Sequence, residues 1–162
     1  MEIKEFELRY KEQIKDFLVE LQEYVIEIDE YNLNIISENY REKYFDFMLE
    51  DCQKAQGKIF IAINNSKVLG FIAGYLETYD ERDKLDYTCP TKGIVAELIV
   101  SKETRKNGVG QKLLQTMEDY FKSINCQFVQ LEVFAYNESA KRFYFNNHYK
   151  ERMITLFKKL DK

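Results

Sequence analysis

The feature that most restricts the fold is an apolar run followed by a basic, glycine-containing loop and a helical pattern. Residues 93–100 (GIVAELIV) carry one charged side chain, Glu97, and are rich in β-branched residues, as is typical of a buried strand. The loop 101–107 and the sequence Gly108-Val109-Gly110 come next, and apolar residues then recur at helical spacing as far as Ile124. A buried strand, a short loop and an amphipathic helix in this order predict a mixed α/β sheet.

The start of that helix has the composition of an anion site. The first backbone amides of a helix have no carbonyl partner and lie at the positive end of the helix dipole. Gly108 and Gly110 let the backbone approach an anion without a Cβ in the way, and Arg105, Lys106 and Lys112 add cations. The loop matches neither the P-loop nor the dinucleotide-binding GxGxxG pattern. The residues alone leave two interpretations open, an anion site or a strand-to-helix turn whose lysines face water.

Periodicity predicts the other elements. No repeat, low-complexity tract or linker interrupts the chain, so we expect one domain over residues 1–162. Residues 77–92 are polar and predict a long exposed loop. Within the second helix we expect Tyr40, Tyr44, Phe47 and Met48 to face inward. Strands are expected at 2–8, 58–63, 68–76, 93–100, 127–135 and, once or twice, over 149–160, and helices at 10–29, 38–55, 109–124 and 138–147, the last capped by Asn137.

The composition excludes several kinds of site. His148 is the only histidine, so a zinc site with two histidines is impossible, and we expect no metal. The cysteines Cys52, Cys89 and Cys126 form no CxxC pair, which favours a reduced, cytoplasmic protein. No apolar run approaches the ~18 residues of a membrane span, and the first residues do not have the pattern of a signal peptide. A net charge of −4 argues against binding to nucleic acid.

Two motifs make the chain resemble the GNAT superfamily of acetyl-CoA-dependent N-acetyltransferases. The family has Gln/Arg-x-x-Gly-x-Gly/Ala after a strand often written Glu-Leu-x-Val, and this chain has Glu97-Leu98-Ile99-Val100 and then Arg105-Lys106-Asn107-Gly108-Val109-Gly110. The family's later Asn and Ala-x-x-Phe-Tyr correspond to Asn137 and Ala140-Lys141-Arg142-Phe143-Tyr144. The resemblance is specific over residues 93–160. It implies a mixed central sheet of six to seven strands flanked by about four helices and splayed at the coenzyme site.

The resemblance also assigns residues to acetyl-CoA. The amides of residues 107–111, with Lys112, would hold the pyrophosphate, and the strand end would pair with the pantetheine arm, which Asn137 would also contact. One position departs from the family, because His148 stands where a glycine is usual, and we interpret it as structural. The coenzyme-binding residues expected on this basis are Leu98, Ile99, Val100, Arg105, Lys106, Asn107, Gly108, Val109, Gly110, Gln111, Lys112, Asn137 and Tyr144.

The catalytic residues expected are Glu97 and Tyr144. An ammonium has no lone pair, so an amine must lose a proton before it attacks a thioester. Burial among apolar neighbours raises the pKa of a carboxyl group towards neutrality, which suits Glu97 to act as a general base. A water chain, or Glu132 on the next strand, is the alternative. The resemblance implies that the Tyr144 hydroxyl protonates the departing thiolate, and the amide of Leu98 is the candidate for stabilising the oxyanion.

The acceptor is inferred from charge. Residues 1–50 hold 14 acidic and 6 basic side chains, a net charge of −8. Glu27, Asp29, Glu30 and Tyr31 close the first helix, and with acids of the loop 77–92 they favour a cationic acceptor such as a polyamine, an aminoglycoside or a peptide or protein amine. Two other functions remain open: an inactive acetyl-CoA-binding sensor or scaffold, and a phosphate-binding regulatory domain. A homodimer is also open.

Overall fold

The structure is a computed structural model that describes residues 1–160, and its internal contacts divide the chain into two compact units, 1–132 and 133 onward. The first unit holds nine of the helices and strands. They are β1 (Glu2–Glu5), α1 (Lys11–Ile28), α2 (Tyr40–Lys54), β2 (Lys58–Asn64), β3 (Lys67–Leu76), α3 (Asp83–Asp86), β4 (Lys92–Val100), α4 (Val109–Ser123) and β5 (Phe128–Leu131). The second unit holds α5 (Glu138–Asn146).

The sheet of the first unit has the strand order β1-β2-β3-β4-β5. Neighbouring strands run antiparallel from β1 to β4. A tight turn at Asn65 joins β2 to β3, whereas α1 and α2 lie between β1 and β2, and a loop with α3 lies between β3 and β4. Asn65 has a φ of 55°, the left-handed conformation that the Asn-Asn-Ser-Lys turn predicts. β5 instead runs parallel to β4, and α4 provides the crossover that a parallel pair requires.

The two faces of the sheet are covered by different helices. α1 and α2 pack on one face, where Ile14, Leu18 and Phe71 are fully buried. α4 packs on the other face through Met117 and Phe121. The ring of Phe121 fits there because β4 has glycine at position 93: a Cβ on that residue would lie 2.5 Å from the ring. Burial on both faces explains why residues 93–100 read as one apolar run.

The second unit begins with a turn, in which the Asn137 amide donates to the Phe134 carbonyl at 2.9 Å, and a capped helix. The side chain of Asn137 accepts a hydrogen bond from the amide of Ala140 at 3.0 Å, so the N-cap predicted from sequence is confirmed. His148 follows the last turn of α5 with a φ of 67°, a left-handed conformation that agrees with its position where the family usually has glycine.

The structure corrects several expectations about the strands. The sheet has five strands rather than six to seven, because residues 149–160 form no strand in the described chain. Their apolar residues occur in adjacent pairs, as in Met153-Ile154 and Leu156-Phe157, and not in the strict alternation of a half-buried strand. The first and last strands are also shorter than expected. β1 ends at Glu5 and not at residue 8, and β5 covers 128–131 and not 127–135.

Two further differences concern polar segments. The expected loop 77–92 contains α3, and Lys92 belongs to β4, where it is buried against the oxygens of Glu77 and Gln130. In α2 the buried stripe is Phe45, Met48 and Cys52, at a spacing of three and four residues. The expectation for Met48 is confirmed, and that for Phe47 is wrong, since this side chain is 60% exposed.

Two expectations concern the chain as a whole, namely membrane-spanning helices and the number of domains. Within residues 1–160 no helix is both long and apolar enough to span a bilayer. The expectation of a single domain over 1–162 stays a prediction.

Candidate active site

Glu97 is placed by an irregularity in the sheet. On β4 it lies opposite Ala73 of β3, but the next pair of the ladder joins Gly74 to Val95, so Ala96 is an extra residue in β4. Such bulges change the direction of the strand and are common beside active sites. Glu97 is 8% exposed and lies on the face covered by α1 and α2.

The Glu97 carboxylate has one hydrogen-bond donor in the described chain. The Tyr44 hydroxyl of α2 donates to Oε1 at 2.6 Å. The ring of Tyr44 stacks on that of Tyr40, one helical turn earlier, with the centroids 5.0 Å apart. Burial raises the pKa of Glu97 to about 7, and the hydrogen bond from Tyr44 partly opposes that rise. A carboxyl group that titrates near neutrality can take a proton from an ammonium at physiological pH.

The parallel pairing of β4 and β5 ends before Glu97. The last pair joins Val95 to Leu131, whereas β4 continues to Val100. Residues 96–100 therefore have no ladder partner on the β5 side within the described chain, which is the opening expected of a splayed sheet. Their backbone groups are available there to an extended ligand, except that the Val100 carbonyl accepts a hydrogen bond from Arg105 Nε at 3.2 Å.

The loop after β4 leads into α4 through a left-handed residue. Gly108 has a φ of 76°, and a Cβ at this position would meet no atom within 4 Å, so the space beside it is open. The first helical hydrogen bond runs from the Lys112 amide to the Gly108 carbonyl at 3.1 Å. The amides of Val109, Gly110 and Gln111 precede it and have no acceptor within residues 1–160.

Positive charge surrounds these amides. Within the part of the chain that the structure describes, no carboxylate forms an ion pair with Arg105, Lys106 or Lys112. Lys102, which precedes them, pairs with Glu20. Three unpaired amides, an open space at a glycine and three cations without a carboxylate partner match the requirements of a diphosphate. The residues thus fit the pyrophosphate of a coenzyme A molecule.

Asn137 and Tyr144 belong to the second unit. The Tyr144 ring contacts Phe143 and Tyr149, with centroids 5.2 and 5.7 Å away, both in edge-to-face geometry. The Tyr149 amide donates a hydrogen bond to the Tyr144 carbonyl at 3.1 Å, just after the C-terminal end of α5. The roles of Asn137 at the pantetheine arm and of Tyr144 at the coenzyme sulfur stay predictions.

The residues expected at the acceptor rim differ in their surroundings. Glu27, Glu30 and Tyr31 are exposed, whereas Asp29 is buried. The Asp29 carboxylate accepts hydrogen bonds from the amides of Tyr31, Leu33 and Asn34 and from the Asn34 side chain, at 2.7–3.1 Å. These bonds hold the pKa of Asp29 below its ordinary value, with the Asn34 side chain contributing most. Asp29 therefore shapes the loop that follows α1.

Sequence reasoning missed the part of α2 that reaches Glu97. Tyr40 and Tyr44 were expected only as inward-facing residues, and Tyr44 is 37% exposed. A spacing of 53 residues separates the two partners of the hydrogen bond, so no local pattern could reveal the pair. Glu132, the alternative base, is exposed and follows the end of β5.

Comparisons with known proteins show the family. Residues 20–147 match the acetyltransferase (GNAT) family. An uncharacterized N-acetyltransferase of Methanocaldococcus jannaschii is 32% identical over 96 residues, which are 59% of this chain. The chain spans about half the length of this curated relative, since the match covers 54% of it.

Solved structures share the fold at low identity. A mutant of a Bacillus halodurans protein superposes with a TM-score of 0.85 at 15% identity, over 99% of each chain. An aminoglycoside N-acetyltransferase in complex with CoA has a TM-score of 0.70 at 12% identity, over 99% of this chain and 100% of its own. Glucosamine-6-phosphate N-acetyltransferase from Arabidopsis thaliana has a TM-score of 0.61 at 18% identity, over 99% and 98%. These structures show the fold, and the match of residues 20–147 shows that the chain belongs to the acetyltransferase (GNAT) family.

Proposed function

We propose that this protein transfers the acetyl group of acetyl-CoA to a primary amine by direct attack in a ternary complex. The observation that carries the proposal is the position of Glu97. A carboxyl group whose pKa is about 7 lies on β4 beyond the last β4–β5 pair, and the same strand leads into the unpaired amides of α4. One end of this strand–loop–helix segment thus suits an amine and the other suits a diphosphate.

Each residue has a separate task in the proposed reaction. The amides that open α4 bind the coenzyme, which supplies an acyl thioester. Glu97 takes a proton from the acceptor ammonium, so that the nitrogen gains a lone pair and forms the new C–N bond. The Leu98 amide donates a hydrogen bond to the carbonyl oxygen as negative charge develops there. When the C–S bond then breaks, the Tyr144 hydroxyl gives its proton to the departing thiolate, and the second proton lost by the acylated nitrogen restores the phenol.

We propose a cationic amine as the acceptor class. Glu27 and Glu30 are exposed at the end of α1, within residues 1–50, whose net charge is −8. An aminoglycoside, the acceptor class in the name of one structural neighbour, carries several ammonium groups. The name of the Arabidopsis neighbour specifies a phosphorylated amino sugar, so both cationic and anionic amines must be tested.

A panel of amines tests the proposal. Polyamines, aminoglycosides, peptide amines, acidic amino acids and amino sugar phosphates are incubated with acetyl-CoA, while thiol release is recorded and the acetylated product is weighed by mass spectrometry. We expect release in step with acetylation, with the cationic amines preferred. Thermal stabilisation by acetyl-CoA without thiol release for any amine would indicate a binding module and contradict the proposed enzyme.

Two isosteric variants identify the base. Glu97→Gln keeps the size of the side chain and can still accept the hydrogen bond from Tyr44, but it cannot take a proton. We expect kcat to fall by about 100-fold, within the range that general bases contribute. Glu132→Gln is the matched control, and its kcat should equal that of the wild type. A larger loss in Glu132→Gln than in Glu97→Gln would assign the base to Glu132 instead.

A further inference from the structure

The contact between α2 and β4 suggests a function for a residue outside the sequence motifs. Tyr44 donates to only one oxygen of Glu97, Oε1, at 2.6 Å. The second oxygen, Oε2, accepts no hydrogen bond from residues 1–160. No buried polar side-chain atom in that range lacks a hydrogen-bond partner, so Oε2 retains access to solvent. One oxygen of the carboxylate is therefore fixed and the other is open.

We propose that Tyr44 is a positioning residue, which fixes the Glu97 carboxylate through Oε1 so that Oε2 faces the acceptor amine. This inference rests on the proposed function, because it requires Glu97 to take a proton. The effect on the reaction passes through Glu97, and Tyr44 itself exchanges no proton.

The surroundings of Glu97 make this hydrogen bond the dominant favourable interaction of its charged form. The titratable groups that face it are all phenols, Tyr40 and Tyr44 from α2 and Tyr75 from β3. No lysine or arginine among residues 1–160 contributes to the pKa of Glu97, which burial raises and only Tyr44 lowers. The ionised form of a buried carboxylate with no cation nearby is stabilised mainly by such a donor, since charge-assisted hydrogen bonds are stronger than hydrogen bonds between neutral groups.

Tyr44 is itself suited to remain a donor throughout the reaction. Burial, followed by the charge of Glu97, raises the pKa of its phenol above the ordinary value of 10.0. The phenol therefore keeps its proton while the nearby carboxyl group gains and loses one. The stacking of Tyr40 at 5.0 Å restricts the ring, so the hydroxyl does not have to be ordered anew in each turnover.

The variant Tyr44→Phe removes the hydroxyl and leaves the stacked ring. We expect kcat to fall on the order of tenfold near neutral pH, since hydrogen bonds to charged groups contribute that much. The KM for acetyl-CoA should not change. The acid limb of the kcat/KM profile should move to higher pH, because the interaction that lowers the pKa of Glu97 is lost. An unchanged acid limb would overturn the proposal.

Tyr120→Phe is the matched control. It removes a phenol hydroxyl of α4, on the face of the sheet opposite to Glu97, that donates to the Gln56 carbonyl at 2.7 Å. Its pH profile should match that of the wild type, whatever the change in stability. A shift of equal size in both variants would mean that the profile reports general loosening of the fold, and the proposal would fail.

A measurement that does not need turnover separates this proposal from the proposed function. The carboxyl carbon of Glu97, assigned by its loss in Glu97→Gln, is titrated by NMR in the wild type and in Tyr44→Phe. We expect the pKa of Glu97 to be higher in the variant. If no amine is acetylated but this pKa rises, the proposed function fails and the contact stands. If acetylation occurs but the pKa is unchanged, only the positioning role is contradicted.

Discussion

At the scale of single residues, the burial of Glu97 couples folding to pH. Burial raises its pKa from 4.5 to about 7, so the folded protein binds this proton more tightly than the unfolded chain does. The contribution of Glu97 to the free energy of unfolding then falls as pH rises from about 4.5 to 7, because ionisation of this group is more costly in the folded state.

Glu97→Gln removes this dependence. The free energy of unfolding of the variant minus that of the wild type should therefore increase by about 2 kcal/mol when pH is raised from 5 to 8, as expected for a pKa that shifts from 4.5 to about 7. Urea unfolding of both proteins at the two pH values measures the difference. Parallel changes in the two proteins would mean that Glu97 is not held in a poorly solvated site.

The sequence made some of these residues predictable and others not. The burial of Glu97 follows from its apolar neighbours in residues 93–100, and the cap at Asn137 follows from its position before a helical pattern. The role of Tyr44 as the partner of Glu97 could not be predicted from the sequence, because their hydrogen bond depends on how α2 packs on the sheet. Asp29 looked like part of an acidic surface, but the loop that folds back over it was not visible in the charge pattern.

At the scale of elements, α4 is bounded by left-handed residues at both ends. Gly108 precedes it with a φ of 76°, and Asn125 follows it with a φ of 63°. An L-residue without a local hydrogen bond costs roughly 1–2 kcal/mol in this conformation. The two ends therefore offer a matched pair of substitutions with similar strain and different surroundings.

Gly108→Ala should lower both stability and acetyl-CoA affinity. The methyl group meets no protein atom within 4 Å, so the fold bears only the backbone strain, but the group enters the space beside the unpaired amides. Asn125→Ala is the control and should cost about 1 kcal/mol without any change in affinity. Calorimetric titration of both variants decides the matter. Equal affinities would show that the coenzyme does not approach the backbone at Gly108.

Regular elements with a strong periodic signal were predicted best. The helix expected at 109–124 is Val109–Ser123, and the strand expected at 93–100 is Lys92–Val100. The strands expected over 149–160 were wrong, because apolar content alone does not make a strand without a hydrogen-bonded partner. The bulge at Ala96 left no signal either, since it arises from the register against β3.

At the scale of the whole molecule, the negative charge of residues 1–50 has two uses. Part of it links α1 to α2: Arg41 binds Glu12 and Asp16 at 2.7–2.9 Å, and Lys15 binds Glu42. The exposed acids at the end of α1, Glu27 and Glu30, are outside this network. The positive charge lies instead at Arg105, Lys106 and Lys112. The distribution suits a cationic acceptor and an anionic coenzyme, which a net charge of −4 conceals.

Titration calorimetry with acetyl-CoA tests the central claim, that the amides opening α4 hold a coenzyme diphosphate. The wild type should bind one acetyl-CoA per chain, with an affinity that decreases as salt is added and as inorganic diphosphate competes. Acetyl-pantetheine, which carries the thioester but lacks the diphosphate, should bind more weakly. Absence of any heat of binding and of any thermal stabilisation by acetyl-CoA would contradict the claim. Binding that inorganic diphosphate does not weaken would place the coenzyme elsewhere.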